Sequence, residues 1–490
     1  MGLIGVIGGP FRGRRQKSAF DRQRNRWMFT VDWNRKVCLE CLDCVKSCPN
    51  KALSEYQGRP IHSSLAACTG CMICRTGCQT KAVFVEWVSE EGFSRDTPTL
   101  KHHIEALAHG GKPMVAGMGA RRKTATLDNL VFLPGQLFQP PLDEHDEVDT
   151  AVVLGKKAAK PVKLAVPILI GAMSFGALSK EAKIALARAT AKAGSMANSG
   201  EGGMLEEERA EARHYTLQYS TGRFGINGHT LAKADMVEIK IGQGAKPGLG
   251  GHLLKEKLTE EIARTRGVPM GQDVISPSKH PDINSKEDLK AKVAWLREMT
   301  GGAPVGIKLA GGHVEKDLEI ALFAGVDVIA VDGMEGGTGA APLIAREHAA
   351  LPLVYVLSRA ARYLESAGAR DKVTLIAGGG LRTAADFAKA FALGAEAVYI
   401  SSSALVAMGC QRCRACHTGR CPAALCTHSA TTKLDVEAAA TGVANFIAAS
   451  VEEIKTLCRM VGKRSISQLS ISDMAALDLE TARITQAPPA

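Results

Sequence analysis

From Val166 onward, short apolar runs alternate with longer stretches whose apolar residues recur at helical spacing. That pattern predicts parallel strands joined by crossover helices. Eight runs are legible: VPILIGA from Val166, GSMANSG from Gly194, MVEIKIGQG from Met236, DVISP from Asp273, PVGIKLAGG from Pro304, VDVIAVDG from Val326, VTLIAGGG from Val373 and AEAVYISS from Ala395. Each ends in or near glycine, serine or a charged residue, and helices such as Lys180–Ala193 and Ala384–Leu393 are expected between them. Eight such units fit an α/β fold of the (β/α)8 barrel type, with an open doubly wound sheet as the alternative. In a barrel the strand C-termini form the active face, so residues at those ends become candidates for chemistry.

Upstream, the pattern is a duplication. A shift of 30 residues carries Cys38, Cys41, Cys44 and Cys48 onto Cys68, Cys71, Cys74 and Cys78, and Lys51-Ala52 onto Lys81-Ala82. A half-unit of that size, with a short helix expected after each cysteine run, predicts a small module over residues 30–90. The chain then divides into five segments: a basic arm (1–29), this module, a connecting segment (91–150) with a helix expected around His102–Ala108, the barrel (151–460) and a C-terminal tail (461–490).

A chain of 490 residues with 46% hydrophobic content can bury more than one core. No stretch approaches the roughly 18 apolar residues of a membrane span. MGLIGVIGGPFRGRR places its apolar run before the arginines, whereas a secretory signal places charge first, so no signal peptide is expected. Closely spaced cysteines, fourteen in all, suit metal ligation in a reducing compartment, hence the cytoplasm. The net charge of +11 is concentrated at Arg12, Arg14, Arg15, Lys17, Arg22, Arg24 and Arg26. No aromatic interleaving or nucleic-acid motif accompanies it, so no nucleic-acid partner is expected.

Cys38-x2-Cys41-x2-Cys44-x3-Cys48-Pro49 is the bacterial ferredoxin run, whose fourth cysteine ligates the other cluster in two-cluster proteins. Crossed ligation predicts one [4Fe-4S] cluster on Cys38, Cys41, Cys44 and Cys78, and a second on Cys68, Cys71, Cys74 and Cys48. Zinc pairs are usually more widely separated. A second group, Cys410, Cys413, Cys416, Cys421 and Cys426, comes after the eighth run and so belongs at the barrel mouth, in a loop spanning 409–428. Its spacing suits an iron–sulfur cluster or a zinc knuckle.

MGCQRCRACHTGRCP resembles the cluster-binding loop of glutamate synthases, in which three cysteines spaced C-x5-C-x4-C-P hold a [3Fe-4S] cluster. Those positions are Cys410, Cys416 and Cys421, with Cys413 and Cys426 left over and a [4Fe-4S] cluster as the alternative. MSFGALS from Met173, NSGEGG from Asn198, GQGAKPGLGGH from Gly242, ISPSKHPDI from Ile275, GIKLAGG from Gly306, GMEGGTGAAP from Gly333 and IAGGGLRTAADFAKAFALGA from Ile376 resemble the same family, in the same order. The resemblance covers about residues 128–430, and the fused ferredoxin module is similar to the archaeal-type enzyme.

The resemblance implies FMN. Gly378, Gly379 and Gly380 after the seventh strand and Ser401, Ser402 and Ser403 after the eighth would hold its phosphate, with Met173, Ser174 and Phe175 beside its ring. Lys308 at the end of strand five would stabilise charge on the reduced flavin. Lys246 and Arg266 correspond to residues that hold the two carboxylates of 2-oxoglutarate, with Arg264 close by on the same expected helix. Glu201 resembles the acid near which ammonia arrives. Asp332 and Glu335 also fall on the active face without an assigned role. The implied reaction is reductive amination of 2-oxoglutarate to glutamate, with electrons entering through the clusters from ferredoxin or an NAD(P)H-oxidising subunit. An amidotransferase segment and a β-helix segment are not found in the sequence, so separate glutaminase and β-helix subunits are expected as partners. Leu249 and His252 replace the family's acid and amide, which leaves the identity of the 2-oxo acid open. Two other functions fit parts of the pattern: the flavin subunit of a methylamine–glutamate N-methyltransferase, and a non-catalytic electron-transfer subunit. Eight further cysteines argue for net redox chemistry over the redox-neutral transfer.

Overall fold

The computed structural model describes residues 29–35, 37–63, 68, 71, 73–87, 107–108, 113, 115–120, 122, 124–414, 416–428 and 433–490. The basic arm up to residue 28 lies outside these residues. Of the helix expected at His102–Ala108, only Leu107 and Ala108 are described, and both are helical.

Eight parallel strands form the barrel: β1 (Ile168–Ile170), β2 (Ala197–Asn198), β3 (Tyr215–Tyr219), β4 (Met236–Lys240), β5 (Val305–Ala310), β6 (Val328–Asp332), β7 (Thr374–Gly378) and β8 (Ala397–Ile400). They pair in the order β2-β3-β4-β5-β6-β7-β8-β1. The remaining seam is bridged by the Ile170 N–H, which donates to the Met196 carbonyl at 3.1 Å. Burial on both faces explains the near-continuous apolar runs of β5, β6 and β8. Inside the barrel, Leu169, Met196, Met236, Val328, Ala330, Ile376 and Ala397 pack with Val152, Leu154, Val162 and Leu164 of an antiparallel hairpin. This apolar plug leaves only the opposite, C-terminal mouth for polar chemistry.

One of the expected runs needs correction, and one strand was missed. DVISP is not a barrel strand, because Val274–Ile275 pairs antiparallel with His252–Leu253 in the excursion between β4 and β5. The strand that takes its place in the ring is β3, whose polar residues Thr216 and Gln218 are buried inside the barrel among Ser199 and Glu238. Its hydrophobic signal is diluted by residues that serve the interior. One strand missed before Met236 and one counted too many after it cancel, so Lys308 does lie on the fifth strand.

Outside the ring, helix α1 (Lys180–Ala193) comes directly after β1. Ser179 caps its first turn by accepting from the Ala182 N–H at 3.3 Å, and Gly194 ends it in the left-handed region at φ 68°. It packs against α2 (Val436–Met460), a 25-residue helix. The C-terminal residues return to the barrel, since Met474–Ala476 pairs with Leu130–Phe132. Among the described residues no helix is long and apolar enough to cross a membrane.

In the N-terminal module, Phe29–Trp33 pairs antiparallel with Val83–Trp87, and Leu53–Tyr56 with Arg59–His62. Its two helices, Asp43–Lys46 and Ile73–Thr76, obey the 30-residue shift. They lie within the cysteine runs rather than after them, because each buries the third cysteine, Cys44 or Cys74, against the strands. After each run the chain turns through Lys51 or Lys81, at φ 50° and 54°, and enters a strand.

Candidate active site and cysteine clusters

At the open mouth lies a cavity of about 840 Å³. It is lined by Met173, Ser174, Glu201, Lys246, Arg266, Lys308, Gly378, Gly379, Gly380, Ser401, Ser402 and Ser403, so the barrel gathers residues scattered over 230 positions of chain. Phe175 is the exception. Its ring is buried with Leu205, Leu253, Leu258 and Ile262, and only its carbonyl serves the site, accepting from Arg266 Nη2 at 2.7 Å.

Charge is distributed unevenly around the cavity. Lys308 leaves β5 beside Lys240 on β4, the register placing the two opposite one another. Asp332, at the end of β6, stands 3.6 Å from Lys308 Nζ and accepts from the Gly244 N–H at 2.9 Å. Burial alone would push the Lys308 ammonium down, but Asp332 and Glu238 outweigh it and hold the pKa above the usual lysine value. On the other side Lys240 Nζ lies 2.8 Å from Glu201, and Ser276 Oγ donates to the same carboxylate at 3.4 Å. Burial would raise Glu201, yet Lys240, Lys246 and Arg266 bring it to about 2. A Cβ at Gly251 would strike this carboxylate, so the glycine is a spatial requirement of the site.

Arg266 resolves the choice on its helix (Glu260–Arg266). It is 4% exposed while Arg264 is at the surface, and the capping Gly267 turns the chain away immediately after it. Its Nε has no hydrogen-bond partner although it is buried. A buried guanidinium edge without a partner is costly, and an incoming carboxylate would satisfy it. Lys246 is 5% exposed, and burial pushes its pKa down to about 8, with Glu201 opposing and Lys240 adding to the effect. Leu249 is 43% exposed, and His252 turns its ring to Asp273 at 3.0 Å. Lys240, Gln218 and Lys257 also line the cavity and were not singled out from sequence. Lys240 carried a signal, as the charged residue closing the MVEIK run.

Elsewhere in the wall the main chain comes close, at Gly378, Gly379 and Gly380. Gly379 and Gly380 adopt φ 96° and 76°, and a Cβ on Gly379 would meet the Gly333 N–H at 2.8 Å. Glu335, near this turn, accepts from the Leu353 N–H at 3.0 Å, and burial raises its pKa to about 7. A glycine turn with Ser401–Ser403 in the same wall fits a flavin mononucleotide, whose phosphate needs close main-chain approach and whose ring needs a cavity of this size.

The loop from Cys410 opens onto the same cavity, with Cys410, Cys413, Cys416, Cys421 and Cys426 all in its wall. In the N-terminal module Cys48, Cys68, Cys71 and Cys74 line one small cavity, which is the crossed set expected from the duplication. Cys44 feels Cys38 and Cys41. Among the described residues no three His, Cys, Asp or Glu side chains are placed to share a single metal ion. Ligands of a cluster bind different irons and stand further apart, and all-thiol sets at these spacings fit iron–sulfur clusters.

A plugged barrel with a cofactor-sized cavity and buried cations at its open mouth defines the class, a (β/α)8-barrel enzyme. The family model described as "Conserved region in glutamate synthase" matches residues 126–464. An archaeal-type glutamate synthase (NADPH) of Thermotoga sp. (strain RQ2) is 35% identical over 470 residues, covering 90% of this chain and 92% of that protein. A glutamate synthase large subunit-like protein of Rhizobium meliloti (strain 1021) is 38% identical over 406 residues, 79% of this chain and 92% of that one. Among solved structures, a flavocytochrome b2 variant with pyruvate bound has a TM-score of 0.48 at 18% identity, covering 73% of this chain and 77% of that one. The chain belongs to the glutamate synthase family of oxidoreductases.

Proposed function

We propose that this chain is the cytoplasmic, catalytic and electron-accepting subunit of a glutamate synthase, reducing the imine of 2-oxoglutarate and ammonia to L-glutamate. The observation that carries the reading is one cavity holding Lys246, Arg266 and Glu201 together with the Gly378–Gly380 turn. Bound FMN would supply the hydride, and two [4Fe-4S] clusters in residues 30–90 together with a third cluster, [3Fe-4S] by the family resemblance, at the Cys410 loop would supply single electrons.

The chain's own residues do the rest. Lys246 and Arg266 each take one carboxylate and so fix the dicarboxylate's orientation at the mouth of the barrel (151–460). Glu201, held ionised by Lys240, Lys246 and Arg266, orients ammonia by accepting a hydrogen bond from it as it approaches the 2-oxo carbon. Lys308, held charged by Asp332, stabilises negative charge that develops against it during reduction. Ammonia comes from a separate glutaminase chain, with a β-helix subunit as a further partner. A glutaminase needs an activated nucleophile. Thirteen of the fourteen thiols lie in the metal-type groups, and Cys458 is buried in α2 with its pKa pushed up to about 12. A ferredoxin or an NAD(P)H-oxidising subunit would provide electrons.

The test is an anaerobic assay of the purified chain with dithionite and a viologen. Glutamate should form from 2-oxoglutarate and ammonia, and not from 2-oxoglutarate and glutamine. N-methylglutamate from methylamine and glutamate without reductant would replace this reading with the transferase.

A further inference from the structure

We infer that Cys426 is the fourth thiolate of the barrel cluster, so that Cys410, Cys416, Cys421 and Cys426 hold four irons rather than three. The inference rests on the reading that this loop binds an iron–sulfur cluster. A cubane has four iron corners, each needing one ligand from the protein. A three-iron cluster lacks a corner, as in a loop that offers three thiols.

Here a fourth thiol is in place. The side chain of Cys426 lies within hydrogen-bonding contact of both the Cys416 and Cys421 sulfurs, and Cys410 interacts electrostatically with the same two. Cys426 is 4% exposed and belongs to the main core, against which Cys410, Cys416 and Cys421 also pack. The main chain fixes it there. Leu425, immediately before it, accepts from the Ser179 N–H at 2.8 Å, anchoring this part of the loop to the N-cap of α1. His428, two residues on, bonds the Gly176 carbonyl through Nε2 at 3.0 Å. Cys426 is thus clamped between two attachments to the turn after β1. Cys413, the other thiol left over by the family spacing, lines the same cavity, and its carbonyl accepts from Asn50 Nδ2 at 2.6 Å. Lys257 completes the site from below: its Nζ donates to the Cys416 carbonyl at 3.2 Å and feels Cys416, Cys421 and Cys426, supplying a buried positive charge for an anionic thiolate cluster.

The experiment compares the anaerobically purified full-length chain with Cys426→Ala and Cys426→Ser. Four-iron clusters are EPR-silent when oxidised, whereas an oxidised three-iron cluster is paramagnetic. The unaltered chain, oxidised anaerobically, should be silent. Cys426→Ala should acquire the three-iron signal and lose one iron per chain by iron analysis and Mössbauer spectroscopy, while Cys413→Ser should stay silent. Cys426→Ser, whose alkoxide can replace the thiolate, should retain four irons with altered spectra. A three-iron signal integrating to about one spin in the unaltered chain, unchanged by Cys426→Ala, overturns the inference and leaves the cluster itself in place. Failure of the underlying reading looks different. Cys416→Ala would then leave the iron content equal to that of the unaltered chain, with no new signal in any variant, and the inference would fall with it.

Discussion

Lys246 stands where two demands conflict. To hold a carboxylate it must be charged, yet burial has pushed its pKa down to about 8. In the free enzyme the ammonium is intact below that pH and is lost above it. The profile of kcat/KM for 2-oxoglutarate, measured at saturating ammonia, reports free-enzyme ionisations. It should therefore fall above about pH 8, approaching roughly tenfold per pH unit. Lys246→Met should remove this limb and lower kcat/KM by the value of one charge-assisted hydrogen bond, about 1.5–3 kcal/mol, or roughly ten- to a hundred-fold. A variant that retains the alkaline limb would show that another group titrates there. Arg266 does not share this sensitivity, since a guanidinium keeps its proton throughout the range. Pairing one titratable cation with one permanent cation makes binding, rather than charge in general, the pH-dependent quantity.

At the scale of elements, α1 is tied to the barrel by a residue that its amphipathic pattern does not explain. Lys183 is 1% exposed, and its Nζ donates to the carbonyls of Met173, Asn198 and Ser199 at 2.6, 2.8 and 3.2 Å while pairing with Glu208 at 2.8 Å. One helix residue therefore sets the spacing between the loops after β1 and β2, which carry Met173, Ser174 and Glu201. Lys183→Met would leave the buried Glu208 carboxylate with the Tyr215 hydroxyl but no counter-charge, and three carbonyls without this donor, and should cost about 3–5 kcal/mol in chemical denaturation at neutral pH. The cost should shrink in acid, where Glu208 takes up a proton. Equal losses at both pH values would mean that the charge of Glu208 is not what the lysine offsets. The same element shows what the sequence conveyed and what it hid. The helical period, Ser179 and Gly194 made α1 legible, and continuous apolar runs did the same for β5 to β8. Strand β3 was hidden because Gln218 and Thr216 face a polar interior, and Val274–Ile275 read as a barrel strand because a local hairpin uses the same residue types. Site residues at strand ends or in glycine turns, such as Lys308 and Gly379, could be picked out from sequence. Lys257 could not, because its proximity to Cys426, which the sequence does group with the other loop cysteines, depends on how an excursion and a loop fold back.

Across the whole molecule, a side-chain hydrogen bond joins the two cysteine-bearing regions: Asn50 Nδ2 donates to the Cys413 carbonyl at 2.6 Å. Asn50 comes directly after Cys48 and Pro49, and those three residues line the cavity with Cys68, Cys71 and Cys74. The cavity of Cys48, Cys68, Cys71 and Cys74 thus faces the barrel loop, while Cys41 is exposed to solvent. Under the proposed function, such an arrangement would give the duplication a direction, in which a protein donor would meet the Cys41 end and the barrel meets the Cys48 end. A neutral hydrogen bond contributes about 1 kcal/mol, so its loss should shift the docked fraction rather than unfold either part. Asn50→Leu should leave iron content, flavin content and thermal stability close to those of the unaltered chain. Turnover driven by a protein donor should fall several-fold, roughly what about 1 kcal/mol allows. Turnover driven by a small viologen, which can enter the open cavity directly, should not change. The comparison separates contact from chemistry, because a variant damaged at the active site would lose both activities equally. Equal turnover with the protein donor before and after substitution would mean that electrons reach the barrel without passing the Asn50 junction.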